Sequence, residues 1–308
     1  MNLTLIPTIE AAAEKPEREG GERPDGPGAP TRRSTPETPT KVIAVTSGKG
    51  GVGKSAISAN LGICLAQLGR RVLLVDADLA LANLDLMLGV SARATIREVL
   101  DGELAIEDVM VVGPHGVHLL PACNGDSGLS GLSKQTQLAF FTAIDSLEDR
   151  FDTVVIDTGA GIGSNSTTFA AAAQETVVVV TPDPASMADA YAMIKVLSQQ
   201  CGVGRVYLVV NMASGPREAE AVVTRLLTLV GQFLDVSVIP VGYVYHDSAV
   251  EESVRRCRPL VVHYPQAPVT ASLQALARRL LDEQPQECSW GGPRLFWKRL
   301  VGASEMQG

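Results

Sequence analysis

A doubly wound α/β domain with a mostly parallel sheet is predicted by three observations. Short apolar runs rich in Val, Ile and Leu recur along residues 41–284. They are near-continuous rather than alternating, the pattern of strands covered on both faces. Helical stretches separate them, the order expected of parallel strands joined by crossover helices. The third observation is the loop Gly48-Lys49-Gly50-Gly51-Val52-Gly53-Lys54-Ser55, which matches G-x-x-x-x-G-K-[ST] between a strand and a helix.

The first strand is predicted at 42–46 and the helix after the loop at 54–67. Further strands are predicted at 72–75, 117–120, 153–156, 176–180, 206–210 and 236–241, with helices including 185–200 and 216–230. In such sheets ligands sit beyond the carboxyl ends of the strands. The loop falls there. Its glycines let backbone N–H groups turn onto phosphate oxygens, and the helix N-terminus adds partial positive charge. Lys54 is expected to reach the β- and γ-phosphates and Ser55 to hold Mg²⁺.

Two more strands end in carboxylates, at Asp76-Ala77-Asp78 and at Asp157-Thr158-Gly159-Ala160-Gly161. One aspartate after a strand commonly caps the next segment. Two behind a phosphate loop point to a metal ion and a positioned water.

Composition narrows the class. The chain has 308 residues, a net charge of −8 and 45% hydrophobic residues. That supports one sizeable core and argues against general nucleic-acid binding. No apolar run is long enough to span a bilayer, and no basic start precedes an apolar run at the N-terminus. The five cysteines are scattered without a C-x-x-C pair, which fits a reducing cytoplasm. The four histidines do not cluster with cysteines at metal-ligand spacing. Residues 1–40 hold seven of the 18 prolines and no aromatic residue. They cannot bury enough apolar area to offset ordering entropy, so this extension is predicted to be disordered.

With these residues the chain resembles the MinD/ParA ATPases, which carry a deviant Walker A motif with a second lysine, here Lys49. Asp157-Thr158-Gly159-Ala160-Gly161-Ile162, Thr181-Pro182-Asp183-Pro184 and Val209-Val210-Asn211-Met212 are similar to the flagellar-number regulators of the FlhG/FleN branch. The resemblance spans roughly 41–284. It implies ATP and Mg²⁺ as ligands and a homodimer that forms on ATP binding. Lys49 then reaches the partner's nucleotide, Asp78 orients the attacking water, and Asp157 acts on Mg²⁺ from behind its waters. Asn211 reads adenine, and Asp189 matches a position linked to dimerisation and regulator binding. Hydrolysis to ADP and phosphate loosens the dimer, in the manner of a switch that places or counts a polar structure such as flagella. Residues 1–40 carry no Asp-Gln-Ala-type activation helix of the kind many members of that branch use to contact a GTPase partner.

Residues 285–292 read as a linker. In the helix predicted next, Phe296, Trp297, Leu300 and Val301 share about 140° of arc, with Lys298 and Arg299 opposite. This describes a helix lying in an anionic membrane surface, similar to the membrane-targeting tail of MinD-type proteins. One tail binds weakly, and two on a dimer gain effective concentration. The expected location is the cytoplasm, peripherally on the inner face of the plasma membrane, with a protein regulator and no specific nucleic acid as partner. Two other readings compete. One is a ParA-type DNA-partition ATPase using Arg255, Arg256, Arg258, Arg278 and Arg279. The other is an adaptor of an assembly GTPase or transcription factor that binds nucleotide without turnover. A redox or metal-carrier relative lacks the paired-cysteine motif.

Overall fold

The computed structural model describes residues 40–78, 82–122 and 133–283. The predicted N-terminal extension, the linker and the amphipathic tail lie outside the described residues. In chain order the elements are β1 (Lys41–Ser47), α1 (Lys54–Gln67), β2 (Val72–Ala77), α2 (Leu84–Leu88), α3 (Ile96–Leu100), α4 (Ile106–Val109), β3 (Val111–Val112), β4 (His118–Leu120) and α5 (Lys134–Asp145). There follow β5 (Thr153–Ala160), α6 (Ser164–Ala172), β6 (Glu175–Val180), α7 (Pro184–Cys201), β7 (Arg205–Ala213), α8 (Pro216–Phe233), β8 (Ser237–Tyr245), α9 (Ser248–Arg255), α10 (Leu260–His263) and α11 (Pro268–Asp282).

The strands form one eight-stranded sheet in the order β3-β4-β2-β5-β1-β6-β7-β8. The described pairings are parallel except that of β3 with β4 at one edge. β1 is buried along its whole length, and its side chains alternate between two cores. Val42 and Ala44 join Phe140 and Phe141 of α5, Phe169 of α6, Met193 of α7 and Val222 of α8. Ile43 and Val45 join Leu61 of α1, Leu260 of α10 and Leu273 of α11. A sheet apolar on both faces explains why its strands read as unbroken apolar runs.

The structure differs from expectation at strand ends. β5 was predicted to stop at Ile156 but runs to Ala160, because Asp157 and Thr158 stay paired between β1 and β2. The Thr158 hydroxyl lies 3.2 Å from the Val45 carbonyl and 3.0 Å from Thr46 Oγ1. β7 and β8 also outrun their apolar cores. The short edge strand β3 was not foreseen, since two residues carry no periodicity. No helix among the described residues is long and apolar enough to cross a membrane.

Candidate functional site

β1 ends at Ser47 and α1 begins at Lys54, so the loop turns the chain directly from sheet to helix. Gly51 and Gly53 hold φ of 79° and 84°, left-handed values that favour glycine. Gly48 is required for a different reason. A Cβ there would lie 2.0 Å from the carbonyl oxygen of Asp189 in α7. Apart from the adjoining residues, no atom lies within 4 Å of a Cβ placed on Gly50 or Gly51. The loop is therefore packed at its start and open above Gly50 and Gly51.

Val52 is buried, and its carbonyl accepts the Asn211 Nδ2 hydrogen at 2.7 Å. A Cβ on Gly53 would lie 2.3 Å from that same nitrogen. Asn211 is expected to read adenine, and its amide also holds the loop in place. Beside it a cavity is lined by Ala56, Asn60, Asn211, Met212, Tyr245 and Asp247. Met212, one of the residues lining that cavity, has φ of 57°, in the left-handed region.

Lys54 is buried, with Nζ 2.8 Å from Asp157 Oδ1 and 3.3 Å from Ser55 Oγ. Ser58 Oγ donates to the same aspartate oxygen at 2.8 Å. On the neighbouring strand Asp76 stands in register with Asp157, so both side chains emerge on one face. Asp76 accepts the backbone N–H groups of Asp78, Asn83 and Leu84 at 3.1, 3.0 and 3.0 Å. Burial, then the charge of Asp157, pushes the Asp76 carboxyl up to about 7 against the pull of those N–H groups. Asp78 is half-buried at the loop that Asp76 anchors. A Cβ on Gly159 would lie 3.7 Å from Asp78 Oδ1, so the residue after β2 meets the end of β5 there.

Lys49 lies apart from this buried cluster. Its ammonium pairs with Asp183 of the same chain at 2.8 Å, with both side chains nearly half exposed. The hydrogen bond with Asp183 holds Lys49 above its ordinary pKa, and Lys49 holds Asp183 below its own. Asp183 also caps α7, accepting the Ala185 N–H at 3.2 Å.

The loop and its surroundings fit a magnesium-bound nucleotide. The space above Gly50 and Gly51 takes phosphate, and Lys54 is the buried cation beside it. Among the described residues no three His, Cys, Asp or Glu gather as a metal cage. Ser55 and Asp157 together offer one hydroxyl and one carboxylate. Such a pair suits Mg²⁺, which keeps water and substrate phosphate oxygens as its other ligands.

Sequence reading passed over Ser58 and the partner of Lys49. Ser58 follows Lys54 by four residues, the spacing that places side chains on one helix face, so a signal existed. The Lys49–Asp183 pair joins positions 134 residues apart and had no local signature.

The ParA family model, described as an NUBPL iron-transfer P-loop NTPase, matches residues 38–281. The chain is 39% identical over 264 residues to the antiactivator FleN of Pseudomonas aeruginosa, covering 85% of this chain and 94% of that protein. It is 35% identical over 266 residues to the flagellum site-determining protein YlxH of Helicobacter pylori, covering 85% and 90%. Among solved structures it is similar to MinD in the MinC:MinD cell division complex of Aquifex aeolicus. There the TM-score is 0.64 at 27% identity, over 82% of this chain and 100% of that one. MinD of Pyrococcus horikoshii complexed with Mg-ADP gives a TM-score of 0.62 at 26% identity, over 78% and 96%.

Proposed function

The chain belongs to the ParA/MinD family of P-loop NTPases and is an ATPase, and on that premise we propose that it is a switch controlling the number or position of flagella. ATP joins two copies, and hydrolysis to ADP and phosphate parts them. The observation that carries the nucleotide reading is the open glycine cradle beside buried Lys54, with Ser55 and Asp157 within reach of the same nitrogen. The Mg-ADP held by a MinD relative supports the same ligand here. The names of the FleN and YlxH relatives support a flagellar role.

Each residue then has one task. Backbone groups of Gly48, Lys49, Gly50, Gly51, Val52 and Gly53 wrap the phosphates, and Lys54 neutralises them. Ser55 and Asp157 hold Mg²⁺, which supplies charge neutralisation at the phosphates. Asp78 orients the water. Lys49 must leave Asp183 to reach a partner's nucleotide, and an exposed ion pair yields readily to a competing phosphate. Asn211 keeps the loop shaped beside the cavity that takes the base.

Sedimentation tests the switch directly. The protein is expected to run as a monomer alone and as a dimer with a non-cleavable ATP analogue. Monomers under both conditions, with the analogue tightly bound, would refute the dimer. Steady-state phosphate release separates this reading from that of a non-hydrolysing adaptor. A DNA matrix is disfavoured because Arg255 and Arg256 both pair with Glu252, and Arg279 pairs with Glu283.

Membrane attachment through Phe296, Trp297, Leu300, Val301, Lys298 and Arg299 remains part of the proposal. Each basic residue contributes about 1 kcal/mol at an anionic leaflet and each buried large apolar side chain about 1.5–3 kcal/mol. Deleting residues 291–308 is expected to keep ATPase activity and abolish flotation with anionic liposomes. Equal flotation of the truncated chain would remove the tail from the account.

A further inference from the structure

The buried end of the site holds an unequal set of charges. Asp76 and Asp157 stand side by side on adjacent strands, at 2% and 1% exposure. Lys54 is the cation seated on them, through Asp157 Oδ1 at 2.8 Å. The other groups bound to the two carboxylates are neutral donors: the Ser58 hydroxyl on Asp157, and the N–H groups of Asp78, Asn83 and Leu84 on Asp76. Nucleotide binding draws Lys54 away toward phosphate. Two adjacent carboxylates are then left in a buried place without a positive charge, an arrangement that low polarity makes costly.

We propose that Asp76 is a positioning residue that makes nucleotide binding depend on a divalent cation. In the protein alone Lys54 offsets one of the two charges of the Asp76–Asp157 pair. When Lys54 moves to the triphosphate, the cation must arrive in its place, so ATP and Mg²⁺ enter as one unit. Asp76 acts through charge and through the loop it anchors, and not by touching phosphate. This inference rests on the nucleotide-binding reading above and adds a residue to it.

The sign of one substitution separates this interlock from simple loss of a metal ligand. Removing a group whose sole task is to ligate the metal weakens binding with Mg²⁺ and leaves Mg²⁺-free binding as it was. Asp76→Asn instead removes one of the two charges that hold Lys54 back, so Mg²⁺-free binding becomes tighter. The experiment titrates full-length protein with a fluorescent ATP analogue, in Mg²⁺ and in EDTA, at about pH 8, above the value of about 7 to which the Asp76 carboxyl is pushed. Parental protein is expected to bind at least about a hundredfold more weakly in EDTA. Asp76→Asn is expected to gain about tenfold in EDTA, which narrows the ratio. An Asp76→Asn affinity in EDTA equal to or weaker than the parental one overturns the proposal. Failure of the parental protein to bind the analogue even with Mg²⁺ overturns the nucleotide reading instead. If Asp76→Asn shows a lost melting transition, Asp157→Asn lowers the same charge count from the other strand. It must show the same gain in EDTA, and absence of that gain is equally fatal.

Discussion

Replacing Lys54 by alanine is expected to lower ATP affinity about a hundredfold or more and to lower stability as well. The first effect follows from losing a buried cation beside the open cradle, since hydrogen bonds to charged groups contribute about 1.5–3 kcal/mol each. The second follows from what stays behind. Asp157 keeps the Ser58 hydroxyl and its neighbour Asp76 but loses its countercharge. Breaking a buried pair by removing one partner costs about 3–5 kcal/mol. For a domain of this size that is a drop of roughly 10 °C in the melting temperature. A double variant, Lys54→Ala with Asp157→Asn, separates the two effects. It is expected to recover much of the melting temperature and none of the ATP affinity. Recovery of ATP binding in the double variant would show that Lys54 acts only by shielding Asp157.

Much of this site was legible in the sequence, because its parts are local. The glycines, Lys54 and Ser55 are contiguous, and the helix predicted at 54–67 is the helix found. Asp76, Asp78 and Asp157 announce themselves by following apolar strands. Strand ends were less legible. Asp157-Thr158-Gly159-Ala160 looks like a turn by composition, yet neighbouring strands on both sides extend it. Tertiary pairing overrode the local preference there. What remained hidden depends on contacts between distant segments. Asp189 excludes a side chain at Gly48 through its backbone oxygen, which no residue type reveals. Asn211 was read as a base-reading residue, and its amide also donates to Val52, 159 residues away in sequence. Lys49 was read from resemblance as a group for a partner's nucleotide; in the single chain its ammonium pairs with Asp183.

Asp78→Ala is expected to behave in the opposite way to the lysine variant. Asp78 bears negative charge at the end of β2, where its carboxylate faces the space above Gly159. A group of that sign does not hold a triphosphate, so its removal should leave ATP affinity within a few fold. Its place between the end of β2 and the end of β5 suits the orientation of a water for attack. Losing a positioned acid or base contributes about 10²–10⁴ in rate, and a loss of that size in phosphate release is expected. Two features make the variant's fold secure. Asp76 receives the N–H groups of Asp78, Asn83 and Leu84, and Asp78 is only half-buried. Since hydrolysis is the step that parts the proposed dimer, the variant should sediment as a dimer in ATP long after parental protein has returned to monomer. Parental turnover in purified Asp78→Ala would assign the water to another group. Slow turnover without a persistent dimer would leave hydrolysis intact as chemistry and remove it as the event that separates the two copies.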